Sequence, residues 1–222
     1  MIGTDEHEPK WRRLPGERPQ QILDAAIEVF GDHGLADARL EDIAKRAGVS
    51  KGTIYLYFPN KEALFKEMIR QTVIDQLEER ERDLINDRGM SATGQVRLFM
   101  RWWWELMRRP DYQRVHRLVV GELQRFPELV EFYWDEVIVR RQLLLDRLIQ
   151  RGVDSGEFRA VNPTTAGRIV TSMFSAHSLW ACTRFYAKQE LTDEIVFEEV
   201  MDYFFRSLSP FAVSAATASP TS

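Results

Sequence analysis

The stretch LEDIAKRAGVSKGTIYLYFPNKEAL, residues 40–64, carries two short helical patterns separated by a three-residue turn. Leu40, Ile43, Ala44 and Ala47 recur at helical spacing, and Gly48 ends the run. Ser50 is suited to cap a following helix over Lys51–Tyr57, which Pro59 closes. Two short helices around Gly48-Val49-Ser50 predict a helix-turn-helix. In the second helix Ile54 and Phe58 are expected to face a core, with Lys51, Thr53, Tyr55 and Tyr57 outward. Gly52 has no side chain, so backbone there can approach a phosphate closely. A DNA major groove admits one such helix, read by its first residues. Periodicity alone leaves a plain helical hairpin with a polar face equally open.

Outward from this stretch, nothing reads as a sheet. Pro19 suits a first helical turn, and Ile22, Ala26, Val29 and Phe30 make one apolar stripe, with Gly34 placed for a left-handed C-terminal conformation. Asn60 caps a further helix from Lys61 into the 80s, whose stripe is Leu64, Phe65, Met68 and Thr72. The charged run at residues 78–83 reads as a solvated face with pairs four residues apart. Helical patterns continue over 92–109, 112–125, 128–152, 163–187 and 192–208, broken at Gly94, Pro110, Pro127, Gly152–Gly156 with Pro163, and residues 191–193. The expected fold is all-α: an arm over 1–18, a three-helix head over 19–66, a larger helical-bundle body over 67–209, and a disordered tail over 210–222.

The residues narrow the choice that periodicity leaves open. From Leu40 through Leu64, and from the Ile22, Ala26, Phe30, Gly34 pattern before it, the chain closely resembles the head of the TetR family of regulators. The resemblance covers residues 20–66 without a gap; the rest matches only in length and helical layout. It implies a dimeric repressor whose paired heads grip a near-palindromic double-stranded DNA operator while the body binds a small effector. Carried over by position, Ser50, Lys51, Gly52 and Thr53 start the recognition helix, Tyr55 and Leu56 face the groove, and Tyr57 and Lys61 hold phosphates. Arg39 departs from the pattern, which places Thr or Ser there. Arginine cannot accept an N–H bond, so the cap is expected elsewhere, with Asp37 the candidate; Arg39 keeps a DNA-contact role.

Composition sets bounds on these readings. The 222-residue chain, 44% hydrophobic with a net charge of −4, is no generic nucleic-acid coat. Over 39–61, however, Arg39, Lys45, Arg46, Lys51 and Lys61 face only Glu41 and Asp42, a local excess of three positive charges. In the arm, Lys10, Arg12, Arg13 and Arg18 are offset by Asp5, Glu6, Glu8 and Glu17, which favours a free tail over groove contact. The single Cys182 excludes an internal disulfide and reads as a core residue. No apolar run approaches the roughly 20 residues needed to span a bilayer, and the polar N-terminus is no signal peptide, so a cytoplasmic protein without membrane partners is expected. No metal-ligand spacing, phosphate-binding glycine loop or nucleophile elbow is present; the chain reads as no enzyme, with no cofactor or metal.

The body is rich in aromatics, including three consecutive tryptophans, Trp102 to Trp104, which cannot all face one core at about 100° per residue. Such content suits an apolar or aromatic effector. The candidate lining is Trp103, Met107, His116, Phe126, Trp134, Met173, His177 and Trp180, each of which also reads as ordinary core. The last two helices carry apolar residues on more than one face: Ile169, Val170, Met173 and Phe174, then Ile195, Phe197, Tyr203 and Phe204. That girth predicts a homodimer through these two helices.

Overall fold

Helix one opens on a proline whose missing N–H leaves no bond unmade. In the computed structural model, which describes residues 18–87, 89–181 and 192–210, with the side chains of 179–181 excepted, α1 spans Arg18–Asp37. Pro19 sits in its first turn. Ile22, Leu23, Ala26, Val29 and Phe30 are buried along it, the stripe their spacing requires. The expectations for the arm before Arg18, for Cys182, for the Trp180 side chain and for the tail beyond Pro210 fall outside the described residues.

Gly34 departs from the expected left-handed cap. Its φ of 78° is positive, but its ψ of 166° is extended, a combination open essentially to glycine alone. The helix kinks there, and Leu35–Asp37 form a separate last turn. α2 spans Leu40–Ala47 and stops at Gly48, as the sequence predicts; the left-handed conformation falls here, with a φ of 67° and a ψ of 34°. α3 spans Lys51–Tyr57 and α4 Lys61–Ile69; Asn60 Oδ1 accepts the Ala63 N–H at 2.7 Å and so caps α4.

The described elements gather into two compact units. One runs through Ile69 and also takes Arg114–Phe126; the other takes Arg70–Gln113 and the chain from Pro127 on. The expected head, 19–66, lies within the first unit, and residues 114–126 join it there. In the first unit Ile43, Ile54, Phe58, Leu64 and Phe65 close over α1, with Phe30 and Phe65 meeting edge to face at 6.3 Å.

The second unit begins with a π-helical stretch, Arg70–Ile74, followed by α5 (Asp75–Asn86) and α6 (Ala92–Arg108). α7 spans Pro110–Glu122 and ends in a 3-10 turn, Leu123–Arg125, within the first unit. Then come α8 (Pro127–Tyr133), a second π-helical stretch (Trp134–Val139), α9 (Arg140–Asp154), α10 (Pro163–Ala181) and α11 (Asp193–Leu208). α9 passes through Gly152, where the sequence predicts a break. A Cβ there would sit 2.1 Å from the Phe158 ring, so the glycine serves close packing. α6 is the centre: Phe99, Met100, Trp103 and Trp104 are all buried. Trp103 packs on Tyr112 at 5.9 Å, while Trp104 meets Phe174 at 5.1 Å and Phe197 at 6.3 Å. Trp102 is the half-buried member, under the Arg80 guanidinium. Glu78 of α5 pairs across to α9 with Arg140 at 2.6 Å and Glu81 with Arg147 at 3.0 Å, while Asp83 pairs with Arg80 along α5 itself at 3.9 Å. No described helix is long and apolar enough to cross a membrane.

Candidate nucleic-acid interface

Ser50 sets the start of α3. Its Oγ accepts the Thr53 N–H at 3.1 Å and lies 2.8 Å from Thr53 Oγ1, so two hydroxyls are fixed at the helix entrance. Ile54 is fully buried and anchors the inner side; Phe58 follows it into the core. Apart from half-buried Thr53, the rest of α3 is turned out. Leu56 is 81% exposed and Tyr55 49%. Leaving a leucine this bare on a helix whose other side is locked to a core makes sense when a second surface covers it. Beside Gly52 a Cβ would meet only Ser50 Oγ, at 3.7 Å, so the fold does not demand glycine there.

The charges around α3 are more committed than their count suggests. Lys51 Nζ bonds Glu41 Oε1 at 2.5 Å and lies 5.7 Å from the Tyr55 ring centre. That hydrogen bond holds the Glu41 carboxyl below its ordinary range and raises the Lys51 ammonium. Arg46 is drawn to α1, bonding Glu28 at 2.6 Å with Asp32 at 3.5 Å, and the bond to Glu28 raises its pKa. Arg39 starts α2 in an extended conformation with no side-chain cap bond. Asp37, the expected substitute, is the last residue of α1; Glu41 and Asp42 in the first turn of α2 offset its dipole instead.

Lys61 is half-buried. Its Nζ donates to Leu35 O at 2.8 Å and Ala36 O at 2.7 Å. The same two residues give their N–H groups to Glu122 Oε2, at 2.8 and 3.2 Å. The kink at Gly34 strips these peptides of helical partners, and two side chains restore them. Glu122 therefore belongs to the head's architecture, a role with no local sequence signal because its partners lie 86 and 87 residues away.

The candidate effector residues divide between the two units. His116 and Phe126 belong to the first unit, and burial lowers the His116 pKa. Trp103, Met107 and His177 are buried in the second unit, whereas Trp134 and Met173 stand exposed on it. His177 packs on Trp104 at 5.3 Å with Nε2 3.5 Å from Asp193, a structural placement. The residue that sequence reasoning missed is Arg141. It is 9% exposed, lies 4.7 Å over the Trp103 ring, and has a lowered pKa, chiefly from desolvation. Its spacing to Leu144, Leu145 and Leu148 places it on the buried stripe of α9, a signal available from the sequence. Among the described residues no group of His, Cys, Asp or Glu forms a metal site.

Residues 22–68 match the family described as bacterial regulatory proteins, tetR family, and residues 94–206 match the C-terminal domain of AefR-like transcriptional repressors. The fatty acid metabolism regulator protein of Bacillus subtilis is 49% identical over 69 residues, 28% of this chain and 35% of that protein. This chain thus spans about a third of that relative. The transcriptional regulator RutR of Escherichia coli is 28% identical over 206 residues, 87% of this chain and 89% of its own. The crystal structure of FadR from Bacillus subtilis in complex with stearoyl-CoA shares the fold, with a TM-score of 0.65 and 23% identity over 85% of this chain and 98% of that one.

Proposed function

Because the chain belongs to the TetR family of DNA-binding transcriptional regulators, we propose that it acts as a dimeric repressor, released from a near-palindromic operator by a small apolar or aromatic effector. It is a regulator and not an enzyme. The observation that carries the DNA reading is α3 itself, with Tyr55, Leu56 and Tyr57 exposed on a helix whose other side is held by Ile54. Tyr55 and Leu56 address the groove, Lys51, Gly52 and Thr53 meet DNA at the start of the helix, where the ammonium and the bare backbone reach phosphate, and Arg39, Ser50 and Tyr57 also take phosphates. Lys61 leaves that set, because its ammonium is bonded to two carbonyls.

The dimer reading rests on the two C-terminal helices. Val170, Phe174, Phe197 and Phe204 are buried, while Ile169, Met173, Ile195 and Tyr203 on the same helices are exposed. Two heads in one dimer must meet successive major grooves about 34–36 Å apart, or a multiple of that. An effector acts by favouring a body conformation with the wrong head spacing, and the coupling is reciprocal: DNA weakens effector binding by the same factor. The apolar effector class is supported by the aromatic content of the second unit. FadR, a regulator of the same fold, holds stearoyl-CoA.

The test is binding of the purified protein to its own upstream DNA across a salt series, with Lys51→Ala alongside. Affinity that falls with salt, and a weaker variant, are expected. Salt-insensitive binding, or an unaffected variant, overturns the DNA reading. For the effector, compounds that stabilise the protein must also change operator affinity; if none does, the release mechanism fails.

A further inference from the structure

A cleft of about 440 Å³ opens in the second unit between α10 and the segment from Trp134 into α9. Trp134, Ile138, Leu143 and Thr171 supply its wall, and Arg141 lines it. That volume lies in the range of small-molecule sites, about 300–1,000 Å³. Arg141 is the anomaly within it. The residue is 9% exposed, and its Nε has no hydrogen-bond partner. The ionisable groups acting on it are the phenols of Tyr112 and Tyr133, which burial keeps neutral by raising both pKa values. A guanidinium stays charged even when desolvated, carries five N–H donors, and matches a carboxylate in a two-pronged fork. Buried charges are ordinarily paired, because an uncompensated one is strongly unfavourable. Stacking on Trp103 at 4.7 Å orients the group without neutralising it.

The other charges lining the cleft do not supply the missing partner. Asp146 accepts from Gln142 Nε2 and Thr164 Oγ1, each at 2.6 Å, and Arg168 adds a second positive charge. Two arginines against one aspartate leave the lining net positive. We infer that this cleft takes a small organic anion, a carboxylate on an apolar or aromatic body, with Arg141 as the anchor of the carboxylate. This rests on the effector reading above and narrows it: the effector is an acid, not a neutral apolar compound.

The experiment uses the full chain, wild type and Arg141→Met, with octanoate, benzoate and their uncharged amides as probes. Thermal unfolding and calorimetric titration read binding, and operator affinity is read in parallel. Three results are expected. Arg141→Met unfolds at a higher temperature than the ligand-free wild type, because an uncompensated buried cation is gone. At least one carboxylate stabilises the wild type and binds at least about tenfold more tightly than its amide. Arg141→Met loses that preference while its affinity for the amide stays within about twofold of wild type. The inference is overturned if Arg141→Met is destabilised as an ordinary core truncation would be. It is also overturned if neither carboxylate shifts the wild type, or if the variant binds the carboxylates as wild type does. The two readings fail separately. Carboxylate binding through Arg141 without change in operator affinity removes the effector role and leaves the anion site. Operator release by an amide, unaltered in Arg141→Met, does the reverse.

Discussion

Glu122 Oε2 accepts the backbone N–H of Leu35 at 2.8 Å and also that of Ala36, while Lys61 Nζ takes the carbonyls of the same two residues. A glutamate on α7 and a lysine on α4 thus complete the peptide groups that the kink at Gly34 leaves open. Replacing Glu122 with Ala strands two part-buried N–H groups, and a destabilisation of about 1–3 kcal/mol is expected by chemical denaturation. Gly34→Ala should be at least as damaging. Its Cβ would lie 2.0 Å from Glu122 Oε1 at a φ of 78°. A Gly34→Ala protein as stable as wild type would show that the kink is dispensable.

Lys61 offers a choice between two roles that salt dependence separates. If its ammonium neutralised a DNA phosphate, removing it would lower the slope of log affinity against log salt by about one for each head. A lysine held by two carbonyls gives a different signature. Lys61→Met is expected to lower thermal stability while leaving that slope unchanged. An unchanged melting temperature with a reduced slope would return Lys61 to the phosphate set.

Gly52 separates folding from recognition. The surrounding space admits a methyl group, and alanine is favoured over glycine in a helix by about 1 kcal/mol. Gly52→Ala should therefore fold with equal or slightly greater stability. Operator affinity should nevertheless fall, because the methyl keeps the helix entrance from the backbone of the DNA. Full operator affinity in this variant would mean that DNA does not approach α3 at Gly52.

Glu41 competes with DNA for Lys51. The two are bonded at 2.5 Å in the free protein, and phosphate must displace that carboxylate to use the ammonium. Glu41→Gln removes the competing charge and should raise operator affinity several-fold at low salt, with the gain shrinking as salt rises. Weaker binding by Glu41→Gln would show instead that the pair positions Lys51.

These residues also mark what a sequence can disclose. Ser50 on the Thr53 N–H, Asn60 on the Ala63 N–H and the helix end at Gly48 are legible because cap and helix lie within three residues of each other. The recognition surface is legible for the same reason: Ile54 and Phe58, four apart, dictate which side of α3 is bare. The charge count around it is incomplete, since Arg46 pairs with Glu28 and Lys61 bonds the peptides beyond the Gly34 kink. Those partners are 18 to 26 residues away and reach their places only through tertiary packing. The π-helical stretches Arg70–Ile74 and Trp134–Val139 are invisible because their residues keep a helical spacing of apolar groups. Arg141 escapes for another reason: arginine defaults to the surface, and that default masks its place in the leucine stripe of α9.

Glu157 supplies a pH test within the second unit. Its carboxylate accepts the Ala92 N–H at 2.8 Å, and the Thr93 N–H and hydroxyl at 3.0 Å each, capping α6 from the turn after α9. Burial pushes its pKa upward, but the bonds from Thr93 and Ala92 outweigh this and hold it below the ordinary glutamate value of 4.5. The folded state therefore binds a proton less readily than the unfolded chain. The stabilisation is complete above about pH 4.5, declines as pH falls from there, and vanishes once the folded carboxyl is protonated too. Glu157→Gln should lose about 1 kcal/mol at neutral pH, the usual size of a helix cap. The gap between wild type and variant should close as the solution is acidified through that window. A gap that persists undiminished well below it would mean that the side chain stabilises the turn by shape, and that the charged cap on α6 contributes little.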